Sequence, residues 1–125
     1  MRIGLIPDCG GTYWLPRLVG PQRAMGLALT GDAIDAETAE RWGLIWRAVD
    51  DAALAETVSE LARSLAAGPA SIGLIREALR RSPGNDLDAQ LDLERDVQRR
   101  AGLTRDFREG VAAFREKRAA RFEGR

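Results

Sequence analysis

The chain has 125 residues, enough for one modest domain, and its content of 45% hydrophobic and 30% charged residues is typical of a folded globular protein. It has no histidine and one cysteine, which excludes histidine-based triads, histidine metal sites, thiolate metal clusters and intrachain disulfides. Nineteen basic residues balance nineteen acidic ones, so no overall positive field would gather nucleic acid or anionic lipid.

Charge and hydropathy vary along the chain in ways that bear on location and partners. No apolar run is long enough to cross a membrane and the first residues lack a secretory pattern, so a cytoplasmic protein is expected. The stretch after Glu94 is rich in arginine. A local anion site near Lys117, Arg118 and Arg121 is therefore a candidate, although a basic tract at a chain end is most often only solvated.

The opening of the chain predicts a buried strand followed by a tight turn. Residues 3–6 form a short apolar run, and Pro7, Asp8, Cys9 and two glycines follow. Such a strand needs neighbouring strands, and the only other candidate is the apolar segment 44–49. Either the two segments pair, or the sheet belongs to sequence upstream of the chain, which is the interpretation that we favour.

The rest of the chain predicts a series of helices with clear start and stop signals. Three residues are expected as N-caps, Thr12, Asp35 and Thr104, and Pro21 suits the first position of a helix. Apolar residues recur three and four positions apart in the later segments. The predicted helices lie at 12–20, 21–29, 36–42, around 54–65, around 72–79, at 87–100 and from 104 onward. The predicted fold class is mostly α with one or two short strands, which argues against a self-contained α/β enzyme.

Taken by itself, the turn around Asp8 has an ordinary interpretation, in which the carboxylate binds nearby backbone and caps the next helix. Its glycines do not form a phosphate-binding loop, because the required spacing and the terminal Lys-Ser/Thr are absent. Cys9 has no histidine to activate it as a nucleophile. Acidic residues that cluster on the predicted helices have arginine neighbours, which is typical of a salt-bridged surface and not of a metal site.

Four stretches carry a family resemblance, and together they span the chain. They are Gly-Leu-Ile-Pro-Asp-Cys-Gly-Gly-Thr (4–12), Gly-Pro-Gln-Arg-Ala-Met-Gly-Leu-Ala-Leu-Thr-Gly (20–31), Ala-Glu-Arg-Trp-Gly-Leu-Ile-Trp-Arg-Ala-Val-Asp (39–50) and Glu-Gly-Val-Ala-Ala-Phe-Arg-Glu-Lys-Arg (109–118). The sequence resembles the second half of the enoyl-CoA hydratase/isomerase (crotonase) family. The resemblance implies the C-terminal part of a crotonase-type α/β (ββα) spiral. Residues 1–50 would end the spiral core, and residues 51–125 would form the helical trimerisation region.

Within this family, the Pro-Asp-Cys-Gly-Gly and Trp-Gly-Leu-Ile-Trp stretches are most similar to the isomerases of ring-epoxidised phenylacetyl-CoA. Typical hydratases have glycine at the position of Asp8, so the resemblance implies Asp8 as the catalytic acid/base of an isomerase. An enoyl-CoA hydratase of the same fold is the alternative. The family's oxyanion amides lie upstream of these stretches. The 125 residues alone are therefore expected to be inactive, as a helical oligomerisation module.

The resemblance also implies roles for two residues near the C-terminus. Phe114 matches a residue that lines the acyl pocket of a neighbouring subunit, and Lys117 matches one that reaches a CoA phosphate. The alternatives are a core position for Phe114 and a solvated Lys117. The implied substrate is an acyl-CoA thioester and the implied assembly a homotrimer or dimer of trimers. No metal is expected, and no cofactor beyond the CoA of the substrate.

Overall fold

A computed structural model describes residues 4–125, in which seven α-helices form. In chain order they are α1 (Gly11–Val19), α2 (Pro21–Thr30), α3 (Ala36–Arg41), α4 (Asp51–Ala66), α5 (Ser71–Arg81), α6 (Leu87–Gly102) and α7 (Arg105–Glu116). A short 3-10 turn, Ser82–Gly84, follows α5. The prediction of a mostly helical chain is confirmed.

The strand predicted at the start of the chain is not formed by the residues that the structure describes. Ile3 lies outside them, and the chain from Gly4 to Pro7 is bent or irregular. Leu5 and Ile6 are 67% and 79% exposed. An apolar segment forms a strand only where a second strand accepts and donates its backbone hydrogen bonds, and none of the described residues does so.

The strand predicted over residues 44–49 is also wrong. Backbone hydrogen bonds turn this segment back toward α3: the Leu44 N–H donates to the Ala39 carbonyl (2.9 Å). The Ala48 N–H donates to a carboxylate oxygen of Glu40 (3.0 Å). Two amides that a strand ladder would need are therefore already bound to α3, and the segment forms a bend followed by irregular chain.

The chain divides into two compact units, one ending at Ala55 and one comprising Glu56–Arg125, with the boundary inside α4. In the first unit α1 packs on α2, and the buried side chains are small or β-branched: Val19, Ala24 and Ala39. In the second unit α5 packs on α6, and α6 on α7. The buried residues there are Leu93, Val97, Asp106 and Ala113. The functional division into residues 1–50 and 51–125 stays a prediction.

Side-chain caps fix the starts of several helices. The Asp35 carboxylate accepts the Thr38 N–H (2.7 Å), and the Thr104 hydroxyl accepts the Phe107 N–H (3.0 Å), as predicted. The prediction that Thr12 caps α1 is wrong. The N-cap is Gly10, two residues earlier and without a side chain, so α1 begins at Gly11 and Thr12 lies inside it.

The fourth helix has an apolar face without cover. Its apolar residues lie three and four positions apart, and we refer to them as the α4 stripe: Leu54, Val58, Leu61 and Leu65. Each is at least 38% exposed, and no residue of α4 is buried.

No helix within residues 4–125 combines the length and apolar character needed to span a membrane.

Candidate active site

Asp8 begins the tight turn that leads into α1. Its backbone carbonyl accepts the Gly11 N–H (2.8 Å), and the two residues between them have positive φ, 52° at Cys9 and 82° at Gly10. This is the pattern of a type I′ turn. The backbone of Asp8, not its carboxylate, therefore closes the turn. The ordinary interpretation of Asp8 as a helix-capping side chain is wrong.

The Asp8 carboxylate has no partner within the part of the chain that the structure describes. The residue is exposed, and its side chain forms no hydrogen bond or ion pair with any part of residues 4–125. A carboxylate that neither caps a helix nor pairs with a cation keeps its lone pairs available as proton acceptors. The turn thus presents an exposed carboxylate, without a partner among residues 4–125, at the N-terminal end of α1.

Packing around Gly10 holds this turn in shape. A Cβ at Gly10 would lie 3.1 Å from Cδ1 of Trp14, and its positive φ disfavours any other residue. Trp14 meets Tyr13 edge to face with ring centroids 4.9 Å apart. The Arg17 guanidinium lies 3.5 Å from the centroid of the Tyr13 ring and donates to the Tyr13 carbonyl (2.8 Å). These contacts order the first turns of α1 directly after Asp8.

Backbone strain coincides with the predicted site residues. Among residues 4–125, two non-glycine residues have positive φ, Cys9 and Lys117. One follows Asp8 directly, and the other is the predicted phosphate contact. Such conformations cost about 1–3 kcal/mol and cluster at functional sites. Both conformations belong to local backbone motifs, a type I′ turn at Cys9 and a helix C-cap at Lys117.

Phe114 belongs to an aromatic cavity in the second unit. The cavity has a volume of about 420 Å³, and all three phenylalanines of the chain, Phe107, Phe114 and Phe122, line it. Phe114 is 86% exposed, so the alternative of a core position is wrong for this chain. A cavity of this volume and apolar character falls within the range of small-molecule sites.

Lys117 ends α7 in a left-handed conformation. With φ 53° and ψ 39°, it is the C-cap of the helix, and its N–H donates to the carbonyls of Ala113 and Phe114. Its ammonium forms no ion pair with the described residues. Phe114 and Lys117 thus lie within the last turn of the same helix, whereas Asp8 belongs to the other compact unit.

Sequence reasoning missed Asp106, the one buried charged residue among residues 4–125, which is 2% exposed. Its carboxylate accepts backbone N–H groups from Ala70 (2.8 Å), Glu123 (2.7 Å), Gly124 (2.9 Å) and Arg125 (3.1 Å). These four hydrogen bonds, and the one from the Glu123 N–H most of all, hold the pKa of this carboxyl below its ordinary 3.8, although burial acts to raise it. Its donors lie 17 to 36 residues away, so no local signal could have revealed it.

Glu109 is the second carboxylate that the sequence did not reveal. It binds the Arg118 guanidinium through both oxygens (2.7 and 2.9 Å) and accepts the Arg121 N–H (2.8 Å). The Arg118 side chain lowers the pKa of Glu109 from 4.5 to about 2. The same pairing raises the pKa of Arg118.

Within residues 4–125, no three acidic or cysteine side chains come together as a metal site would require.

Comparison with known proteins defines the class to which this fold and these residues belong. The family model described as enoyl-CoA hydratase/isomerase matches residues 1–125. The chain belongs to the enoyl-CoA hydratase/isomerase family. It spans about half the length of the curated relatives that it matches.

Individual relatives include both isomerases and hydratases. A 1,2-epoxyphenylacetyl-CoA isomerase of Escherichia coli (strain K12) is 55% identical over 125 residues, which are 99% of this chain and 48% of that protein. A crotonyl-CoA hydratase of Syntrophomonas wolfei is 38% identical over 121 residues, with 96% of this chain and 46% of that protein covered. The sequence is therefore more similar to this isomerase than to this hydratase.

Solved structures share the fold along almost the whole chain. An enoyl-CoA hydratase from Bacillus anthracis matches with a TM-score of 0.91 at 34% identity, covering 99% of this chain and 48% of that one. An enoyl-CoA hydratase/isomerase from Cupriavidus metallidurans CH34 matches with a TM-score of 0.87 at 37% identity, covering 98% and 47%. The crotonase-type fold expected from the sequence is confirmed.

Proposed function

We propose that the protein carrying this chain is an acyl-CoA isomerase that works through an enolate, with Asp8 as its acid/base. The observation that carries this proposal is the exposed carboxylate of Asp8, which has no partner among residues 4–125, at the strained turn before α1. The 55% identity to a 1,2-epoxyphenylacetyl-CoA isomerase supports it. We further propose that the reaction shifts a double bond or opens a ring epoxide, as in phenylacetate degradation.

A single carboxylate suits this chemistry. The base removes a proton from the carbon next to the thioester carbonyl, and the charge moves to the carbonyl oxygen as an enolate. The same carboxyl group then returns the proton to a different carbon. The double bond shifts, and no proton is gained or lost overall. Because Asp8 has no competing partner within residues 4–125, its oxygens can both accept and return the proton.

Phe114 and Lys117 are proposed to bind the two ends of the substrate. The exposed ring of Phe114 lines an aromatic cavity suited to an acyl or aryl group. The Lys117 ammonium, a compact cation without an ion pair among the described residues, suits a phosphate of CoA. The acyl pocket would be completed by a neighbouring copy in a trimer or dimer of trimers.

The assignment of Asp8 is tested by Asp8→Asn in the protein that carries this chain, assayed with an enoyl-CoA thioester and with ring-epoxidised phenylacetyl-CoA. Loss of a general acid/base should lower kcat by about 10²–10⁴-fold. Asp32→Asn is the matched control, because Asp32 is an exposed aspartate in the loop between α2 and α3 and should leave kcat unchanged. Near-normal turnover by Asp8→Asn would remove Asp8 from the mechanism.

A hydratase is the second candidate, favoured by the similarity to a crotonyl-CoA hydratase. The two reactions differ in atom balance, because hydration adds one water to the thioester and isomerisation adds none. Mass spectrometry of the product from an enoyl-CoA therefore separates them. A product heavier by one water would support the hydratase.

For the 125 residues alone, a non-catalytic oligomerisation module is the third candidate. The exposed α4 stripe favours it, because a monomeric protein rarely leaves a long apolar face without a partner.

A further inference from the structure

The last residues of the chain, 118–125, form what we call the C-terminal strap. They follow α7 in the opposite direction to the helix: Arg121 is bound to Glu109, and residues 123–125 are bound to Asp106, which lies closer to the start of α7. The Arg125 carbonyl in turn accepts the Asp106 N–H (3.1 Å). The strap is therefore fixed to one helix at two separate carboxylates.

The two carboxylates hold the strap in different ways. Asp106 is buried and binds only backbone N–H groups. It therefore fixes the path of the strap backbone independently of the side chains of the strap. Glu109 binds one guanidinium and one backbone N–H, both of the strap. Charge-assisted bonds of this kind are about twice as strong as neutral ones.

Lys117 lies between α7 and the strap, and hydrogen bonds fix the backbone on both sides of it. On the helix side, its N–H donates to carbonyls of the last turn of α7. On the strap side, the Arg118 N–H donates to the Ala113 carbonyl (3.0 Å), and the Arg118 guanidinium is held by Glu109. A lysine leaves the left-handed region unless its surroundings fix it there.

Charge pairing leaves Lys117, and not its neighbour, available to an anion. The Arg118 guanidinium is neutralised by Glu109 (2.7 Å) and Glu116 (2.6 Å). Lys117 forms no such pair with residues 4–125. The carboxylate that holds the strap thus also occupies the competing cation.

We propose that Glu109 and Asp106 are positioning residues for Lys117: by holding the C-terminal strap on α7, they fix the backbone from which its ammonium meets a phosphate of coenzyme A. This inference rests on the proposed function of Lys117. It assigns to the two carboxylates that hold the strap an effect on the affinity for coenzyme A.

The test compares four variants of the protein that carries this chain, Glu109→Gln, Asp106→Asn, Lys117→Ala and the double variant Glu109→Gln/Lys117→Ala. Calorimetry measures the Kd for coenzyme A, and steady-state kinetics measure KM and kcat for an acyl-CoA thioester. Glu109→Gln should raise both Kd and KM by about threefold to tenfold, the loss of roughly one hydrogen bond, with kcat within about twofold. It should also speed hydrogen exchange at the Arg118 and Arg121 amides.

The matched control is Glu77→Gln. Glu77 binds one nitrogen of the Arg100 guanidinium through both carboxylate oxygens (3.0 and 2.9 Å), so it also pairs with an arginine, but it forms no hydrogen bond with the strap. It should leave Kd, KM and strap exchange unchanged. An equal rise in Kd for this variant would show a general stability effect and overturn the proposal.

The double variant decides whether Glu109 acts through Lys117. If it does, Glu109→Gln adds no further loss of coenzyme A affinity once Lys117 is alanine. Additive losses overturn the positioning role but leave the phosphate contact of Lys117 intact. An unchanged Kd in Lys117→Ala overturns the phosphate contact and the inference together. Should Asp106→Asn fail to fold, Glu109→Gln and the double variant still decide the outcome.

Discussion

Cys9 and Lys117 adopt left-handed backbone conformations that residues with a Cβ rarely adopt. Cys9 directly follows the predicted site residue Asp8, and Lys117 is itself a predicted site residue. At Cys9 the strain follows from a turn in which Gly10 must also have positive φ. At Lys117 it follows from a chain reversal held by Glu109 and Asp106. In both places, the surrounding contacts fix a conformation that the residue alone would not adopt.

Acid should loosen the strap at Glu109. The pKa of this carboxyl is about 2 in the folded protein and 4.5 ordinarily, so its stabilising effect is complete above about pH 4.5 and is lost as the pH falls toward 2. Thermal unfolding measured across this window should show a smaller loss of stability in Glu109→Gln than in the wild type. Equal pH dependence of the two proteins would contradict the prediction.

At the scale of helices, local sequence signals predicted where helices begin better than they predicted strands. Asp35 and Thr104 cap their helices as expected because the capping hydroxyl or carboxylate acts within three residues. Thr12 has the same sequence signature, but the left-handed turn at Cys9 and Gly10 places the N-cap of α1 two residues earlier, at Gly10. The segment 44–49 has a strand-like composition, yet Ala39 and Glu40 take up two of its amides.

Two matched threonine variants test this difference between caps. Thr104→Ala removes a bond to the Phe107 N–H and should destabilise the protein by about 1 kcal/mol in urea unfolding. Thr12→Ala removes no capping bond and should change stability by less than about 0.5 kcal/mol. A larger effect at Thr12 than at Thr104 would contradict the structure.

At the scale of the whole molecule, burial is modest for a chain of this length. Six hydrophobic residues are buried among residues 4–125, and side chains as large as Trp46 and Phe114 are 77% and 86% exposed. The α4 stripe adds a continuous apolar face. Apolar surface of this extent is characteristic of a chain that associates with further protein.

We expect the 125-residue chain to self-associate through the α4 stripe. Leu54→Glu/Leu65→Glu should weaken association by at least about tenfold, because each leucine buried in an interface is worth about 1.5–3 kcal/mol. Arg63→Glu changes charge on the other side of the helix and serves as the control. Light scattering across a concentration series measures the effect. A monomeric wild-type chain at high concentration would contradict the prediction.

The sequence by itself determined the helical class, most helix starts, the family and the identity of the candidate site residues Asp8, Phe114 and Lys117. These depend on motifs and on contacts within a few residues, and both can be recognised in the local sequence pattern. Only the tertiary structure showed that Asp8 closes its turn through its backbone, and that Asp106 and Glu109 hold the strap beside Lys117. The partners of Asp106 and Glu109 lie 9 to 36 residues away and meet them through packing, which no local pattern encodes.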